Sequence, residues 1–87
     1  MADRGVIALS GVVTVYTAHE WVDRYPAGAA SITVDASGVR ACDSALIALL
    51  LAWRRRANRD GATITVRNLP ESAVALANIY GVASLVS

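Results

Sequence analysis

Few side chains in this 87-residue chain could carry bond-making chemistry: one histidine, His19, one cysteine, Cys42, and the adjacent pair Asp43-Ser44. A serine nucleophile needs a histidine base within hydrogen-bond reach and an aspartate that orients the base. Asp43 and Ser44 are chain neighbours, so they cannot fill both of those roles toward one distant imidazole, and no nucleophile elbow frames Ser44. No catalytic residue is expected. His19 reads as a surface residue of a first helix, and Cys42 as a small buried hydrophobe beside a strand end. Asp35 and Asp43 offer two carboxylates to a divalent cation, but a third oxygen ligand is missing and both suit loop caps. With one His and one Cys, neither a zinc cluster nor an internal disulfide can form. The phosphate-cradling patterns G-x-x-x-x-G-K-S/T and G-x-G-x-x-G do not occur. No cofactor and no metal are expected.

All eight cations are arginine, set against seven acids, for a formal net charge of +1. Arg54, Arg55 and Arg56 would suit a phosphate backbone, but so small a net charge argues against nucleic acid held by bulk electrostatics. They read instead as a solvated helix end that complements the helix dipole. Hydrophobic residues make up 55% of the chain and charged residues 17%, too apolar a balance for disorder and enough for one small domain over residues 1–87. Met1 to Gly5 lack the basic segment and apolar stretch of a leader. The longest apolar run, Ala45 to Trp53, is about half of a membrane span, so no direct span is expected. A reducing, cytoplasmic setting is the default for such a composition.

The elements that must position these residues follow from punctuation and periodicity. Val6 to Leu9, closed by Ser10-Gly11, and then Val12-Val13 read as two pieces of opening strand. Thr14 or Thr17 caps a first helix running to about Tyr25, with Trp21, Val22 and Tyr25 as its buried stripe. Ser31 to Val34 is a β-branched strand, followed by a polar loop from Asp35 to Arg40. Asp43 is a good N-cap for the longest helix, about Ser44 to Arg59, which Asp60-Gly61 terminates. Thr63 to Val66 alternates as a strand. Leu69-Pro70-Glu71 opens a final helix whose inner face is Val74, Ala77 and Tyr80, with Gly81 beyond its end. Such alternation of strands and helices implies a mixed sheet with a parallel portion, covered by helices.

The long helix has no polar face over Ala45 to Trp53. Leu46, Leu49, Leu50 and Trp53 form one stripe; Ile47, Leu51 and the alanines form another. A domain of this size buries one of them against its sheet, which leaves the other for a neighbouring helix or a partner.

Two segments carry a family resemblance. Val34-Asp35-Ala36-Ser37-Gly38-Val39, then Cys42-Asp43-Ser44-Ala45-Leu46-Ile47-Ala48-Leu49-Leu50, resemble the hallmark of STAS domains: a strand, D-x-S-x-V, and D-S/T opening a helix. That family is shared by sulfate transporters and anti-sigma factor antagonists. Within it the chain is most similar to the small STAS subunits of Mla phospholipid-transport ABC complexes. The matching pieces are Ile7 to Gly11, Ala48 to Leu51 and Leu76 to Val82. The resemblance implies a STAS-like α/β fold, a small mixed four-stranded sheet under three to four helices. It also implies a non-enzymatic docking subunit that binds the cytoplasmic ATPase of an ABC transporter, peripheral to the inner membrane through that partner. Ser44 stands at the family's docking or phosphorylation position, with Asp43, Ser37, Ala45, Ile47, Ala48 and Leu51 as supporting partner surface. The alternative it implies is an anti-sigma factor antagonist, switched when an anti-sigma factor kinase phosphorylates Ser44. Many relatives have small residues after that Ser/Thr, whereas Ala45-Leu46 here crowds the backbone and favours docking over kinase recognition.

Overall fold

Apolar alternation in the first segment yields one strand, β1 (Arg4–Val13), with Ile7, Leu9 and Val13 buried while Val6, Ala8 and Val12 are exposed. The computed structural model describes residues 4–86. Met1 to Asp3, part of the leader reading, lie outside the described residues. The remaining elements are α1 (His19–Val22), β2 (Ser31–Cys42), α2 (Ser44–Asp60), β3 (Thr63–Arg67) and α3 (Glu71–Ile79), closed by a 3-10 turn at Ala83–Leu85.

The α/β class holds, and three features differ in detail. Ser10-Gly11 does not turn the chain: Gly11 takes a positive φ of 74° and the strand runs on through an irregularity. Asp35 to Arg40 is not a loop but the middle of β2. Register shifts against β1 at Ala8/Ser10 and Gly11/Val12 accommodate the length difference, twelve residues in β2 against ten in β1. A D-x-S-G segment supplies bulges here rather than a turn. The described residues therefore form a three-stranded, wholly parallel sheet in the order β1-β2-β3, rather than a mixed one of four strands.

Two right-handed crossovers stepping the same way across a sheet lay their helices on one face. Burial agrees with this. Ile32, Val34 and Ala36 of β2 are buried with the inward residues of β1, against Leu46, Leu49, Leu50 and Trp53 of α2. Residues on the opposite face of the sheet, Ser31, Thr63, Thr65 and Arg67, are exposed. Parallel sheets are usually covered on both faces; here hydroxyls and charge hydrate the second over β2 and β3, while the exposed Val6, Ala8 and Val12 leave β1 apolar. β1 is also an edge strand. The Thr17 hydroxyl donates to the Val12 carbonyl at 2.8 Å and occupies one end of it.

Helix α1 is shorter than the expected span from Thr14 or Thr17 to Tyr25. Thr14 and Thr17 engage the backbone in a turn, with Thr14 N–H donating to Thr17 Oγ1 at 2.9 Å and Thr17 N–H to the Thr14 carbonyl at 3.0 Å. Such local side-chain bonds compete with helix. Of its expected stripe, Tyr25 is buried, Trp21 half-buried and Val22 exposed. The Trp53 indole N–H donates to the Val22 carbonyl at 3.4 Å, and the Arg56 guanidinium lies 4.3 Å from the Tyr25 ring centroid, so the carboxyl end of α1 and the segment just after it are held to α2. On the other flank, α3 packs through Ala73 and Ala77, both fully buried, while Val74 and Tyr80 are exposed. Alanines at that spacing let α3 approach more closely than a Val/Tyr stripe could.

On the open face, the Asp35 carboxylate accepts from Ser37 N–H at 3.0 Å and from the Asn68 amide at 3.1 Å. These bonds tie the turn after β3, where Asn68 has a φ of 59°, to β2. The Ser37 backbone N–H first, and then the Asn68 amide, hold the Asp35 carboxyl below the usual carboxylate range. The unfolded chain thus takes up the proton first as pH falls. The stabilisation is complete above the unfolded value of about 3.9 and disappears as pH drops through the folded one. The melting-temperature gap between the native chain and Asp35→Asn should close below about pH 4. A gap that persisted unchanged to about pH 3 would remove this role from Asp35.

Candidate docking site

Asp43 organises the best candidate site by joining the turn after β1 to the start of α2. It has extended backbone geometry at the N-cap, and its Oδ1 accepts from Ala45 N–H at 2.8 Å. Its other carboxylate oxygen accepts from Val15 N–H at 3.2 Å, while its own N–H donates to the Val13 carbonyl at 3.3 Å. One side chain therefore satisfies an orphan helix donor and a turn donor together. Ser44 follows at the first helical position, exposed, at the positive end of the α2 dipole.

Beside Ser44 runs an apolar groove of about 230 Å³ between α1 and α2, lined by Val15, Ala18, Val22, Ala45, Ala48, Leu49 and Ala52. Two of the lining residues are strongly exposed for apolar side chains, Val15 at 68% and Val22 at 48%, and Tyr16, next in the chain to Val15, is 84% exposed. Exposed apolar residues gathered in one place mark a contact surface more often than a solvated one.

Of the residues expected at this site, Asp43, Ser44, Ala45 and Ala48 come together. Ile47 does not belong to the surface. It is buried at 3% exposure, because its side of α2 turns into the core cluster that also holds Ala73 and Ala77 of α3. Leu51 is half-buried and packs against the core on that same flank. Ser37 is exposed but sits six residues back along β2, roughly 15–20 Å at strand rise, so it is not part of this cluster. Val15, Tyr16, Ala18 and Val22 were not anticipated. The available signal was the run Val12-Val13-Thr14-Val15-Tyr16, more apolar than one strand face can bury.

The other chemistry-bearing residues lie elsewhere. His19 is exposed at the start of α1. Cys42 is half-buried, with its Sγ 3.7 Å from Ser72 Oγ, against the core where a strand end was expected to place it. No group of three or more His, Cys, Asp and Glu that could hold a metal occurs among the described residues. What the arrangement can do is present a polar helix start next to an apolar trough.

Replacing Asp43 by Ala orphans two backbone donors at once. Asp43→Ala should cost about 1–2 kcal/mol of stability, while Asp43→Asn, which keeps an acceptor oxygen, should cost clearly less. Urea unfolding decides between them. Equal losses for the two variants would assign the effect to charge rather than to capping.

A family model described as "Mlab, STAS domain" matches residues 2–87. No curated protein matches the chain. Among solved structures, the protein described as Mglu in its crystal structure analysis superposes with a TM-score of 0.68 at 25% identity, over 80% of this chain and 18% of that one. A sulfate transporter family protein from Wolinella succinogenes gives a TM-score of 0.77 at 10% identity, over 98% of this chain and 72% of that one. The STAS domain of a SulP transporter from Vibrio cholerae gives 0.72 at 15% identity, over 98% and 69% respectively. The chain thus spans less than a fifth of the Mglu protein. At 10% and 15% identity, the two transporter likenesses speak for the fold.

Proposed function

The chain belongs to the STAS domains of the family described as Mlab, STAS domain, and from that premise we propose that it is a docking subunit for the cytoplasmic ATPase of a phospholipid-moving ABC transporter. STAS domains are regulatory and interaction domains, which accords with a site that presents surface rather than reacting groups. The observation that carries the reading is the exposed Ser44 beside the apolar groove, with the exposed Val15 and Tyr16 in the adjoining turn. Interfaces divide into an apolar centre and a polar rim. Here the trough supplies the centre, and Ser44 with the Asp43-capped turn supplies the rim. No helix among the described residues is long and apolar enough to cross a membrane. In this reading the subunit sits in the cytoplasm, held at the inner membrane by its partner.

Co-expression with the ATPase subunit of a phospholipid-transport ABC complex, and separately with an anti-sigma factor kinase, tests the proposal. A stoichiometric complex with the ATPase that survives size exclusion is the expected result. A complex with the kinase alone, with phosphate on Ser44 by intact mass, would replace this reading with that of an anti-sigma factor antagonist.

A further inference from the structure

The crest of α2 that faces away from the sheet reads Ser44, Ala48, Ala52, Arg55 and Arg59 from its amino end to its carboxyl end. Ala48 and Ala52 line the apolar groove, and Arg55 and Arg59 are exposed beyond it. Arg56 is already engaged over the Tyr25 ring. No carboxylate stands on the crest itself; Asp60, beside the crest, shares the surroundings of the Tyr25 hydroxyl with Arg56 and Arg59, which leaves Arg55 the more open of the two crest arginines.

This pattern discriminates among occupants. A second copy packed antiparallel through Ala48 and Ala52 brings Arg55 of each copy beside Ala45 of the other, at the positive end of its helix. A parallel pair sets arginine against arginine. A lipid surface is held by bulky apolar side chains that project into it, whereas this crest is alanine beside a recessed trough. A helix of another protein fits both halves: alanines allow close axial approach, and acids at its far end meet the arginines.

Resting on the docking reading above, we infer that the partner element seated on this crest is an amphipathic helix, apolar over Ala48 and Ala52 and carrying Asp or Glu over Arg55 and Arg59. The test titrates the full chain with the ATPase subunit of a phospholipid-transport ABC complex at low and at physiological salt. The double variant Arg55→Glu, Arg59→Glu should weaken binding by about tenfold or more at low salt and flatten its salt dependence, while Ala48→Glu should abolish it. If the glutamates unsettle the helix end, seen as a lower melting point, Arg55→Ala with Arg59→Ala should give the same loss in weaker form. A photo-crosslinker at position 52 should capture a helical segment with carboxylates one or two turns away. Binding lost on Ala48→Glu but unchanged by the arginine variants overturns the acidic helix and leaves the docking site standing. Binding unchanged by all of them removes the site as well. Pelleting with phosphatidylcholine–phosphatidylglycerol vesicles that depends on Arg55 and Arg59 would assign the crest to a membrane and overturn the inference.

Discussion

Ser44→Arg should leave the melting temperature close to that of the native chain and abolish capture of the ATPase subunit. Ser44 is exposed, and the capping of α2 is done by Asp43, so the fold loses little when the hydroxyl goes. A cation at the positive end of the α2 dipole costs about 0.3–1 kcal/mol when exposed, a small part of the stability. At an interface the same guanidinium must be desolvated or must displace the partner beside the groove. A partner pushed off in this way also loses its contacts with the apolar trough beside Ser44, and such central contacts are worth about 2 kcal/mol or more, roughly thirtyfold in affinity. Tyr16→Ala makes a milder companion, removing an aromatic that is 84% exposed and contributes nothing to the core. Pull-down and thermal melts on the same preparations separate the two effects. Normal ATPase binding by Ser44→Arg would move the docking site away from this end of α2.

Leu50→Ala should behave in the opposite way. Leu50 is 1% exposed, packed in the cluster that joins α2 to β1 and β2. Truncating a buried leucine costs about 2–5 kcal/mol, through lost transfer energy and the cavity left behind. A chain of 87 residues has roughly 4–13 kcal/mol to lose, at about 0.05–0.15 kcal/mol per residue, so the variant should stand near the edge of folding at 37 °C. The urea midpoint measures the loss. A cost under about 1 kcal/mol would mean that the α2–sheet interface collapses around the gap and is not closely packed.

The sequence was most legible where side chains bond to their own backbone. Asp43 before the apolar run and Gly61 after it bounded α2, and both do their expected work, Asp43 as N-cap and Gly61 with a φ of 73°. It was least legible where a residue's role depends on what lies across from it. Asp35 to Arg40 has turn composition, but with β1 running alongside, those residues pair as a bulged strand. Ile47 and Ala48 are adjacent in an unbroken apolar run, and nothing local says which faces the core. Tertiary packing decides it: Ile47 is buried in the cluster that also holds Ala73 and Ala77 of α3, while Ala48 is exposed. The same reasoning explains the missed turn. Val15 and Tyr16 fit a helix start by composition, and only the bonds of Thr14, Thr17 and Asp43 place them in an exposed turn.

The position of β1 at the margin of the sheet has a consequence for the life of the chain before it finds a partner. Along Gly5 to Val13 there is no lysine, proline or inward charge, and only the irregularities at Ala8/Ser10 and Gly11 make this margin less hospitable to other strands. Thr17 guards only the end near Val12. A nascent or loosened molecule therefore offers a length of extended, apolar backbone to others of its kind. Solubility, more than the folding equilibrium itself, then becomes the first property to fail as the helical layer weakens. Synthesis alongside a stoichiometric binding protein, which depletes the loosened population by mass action, would keep such chains out of aggregates.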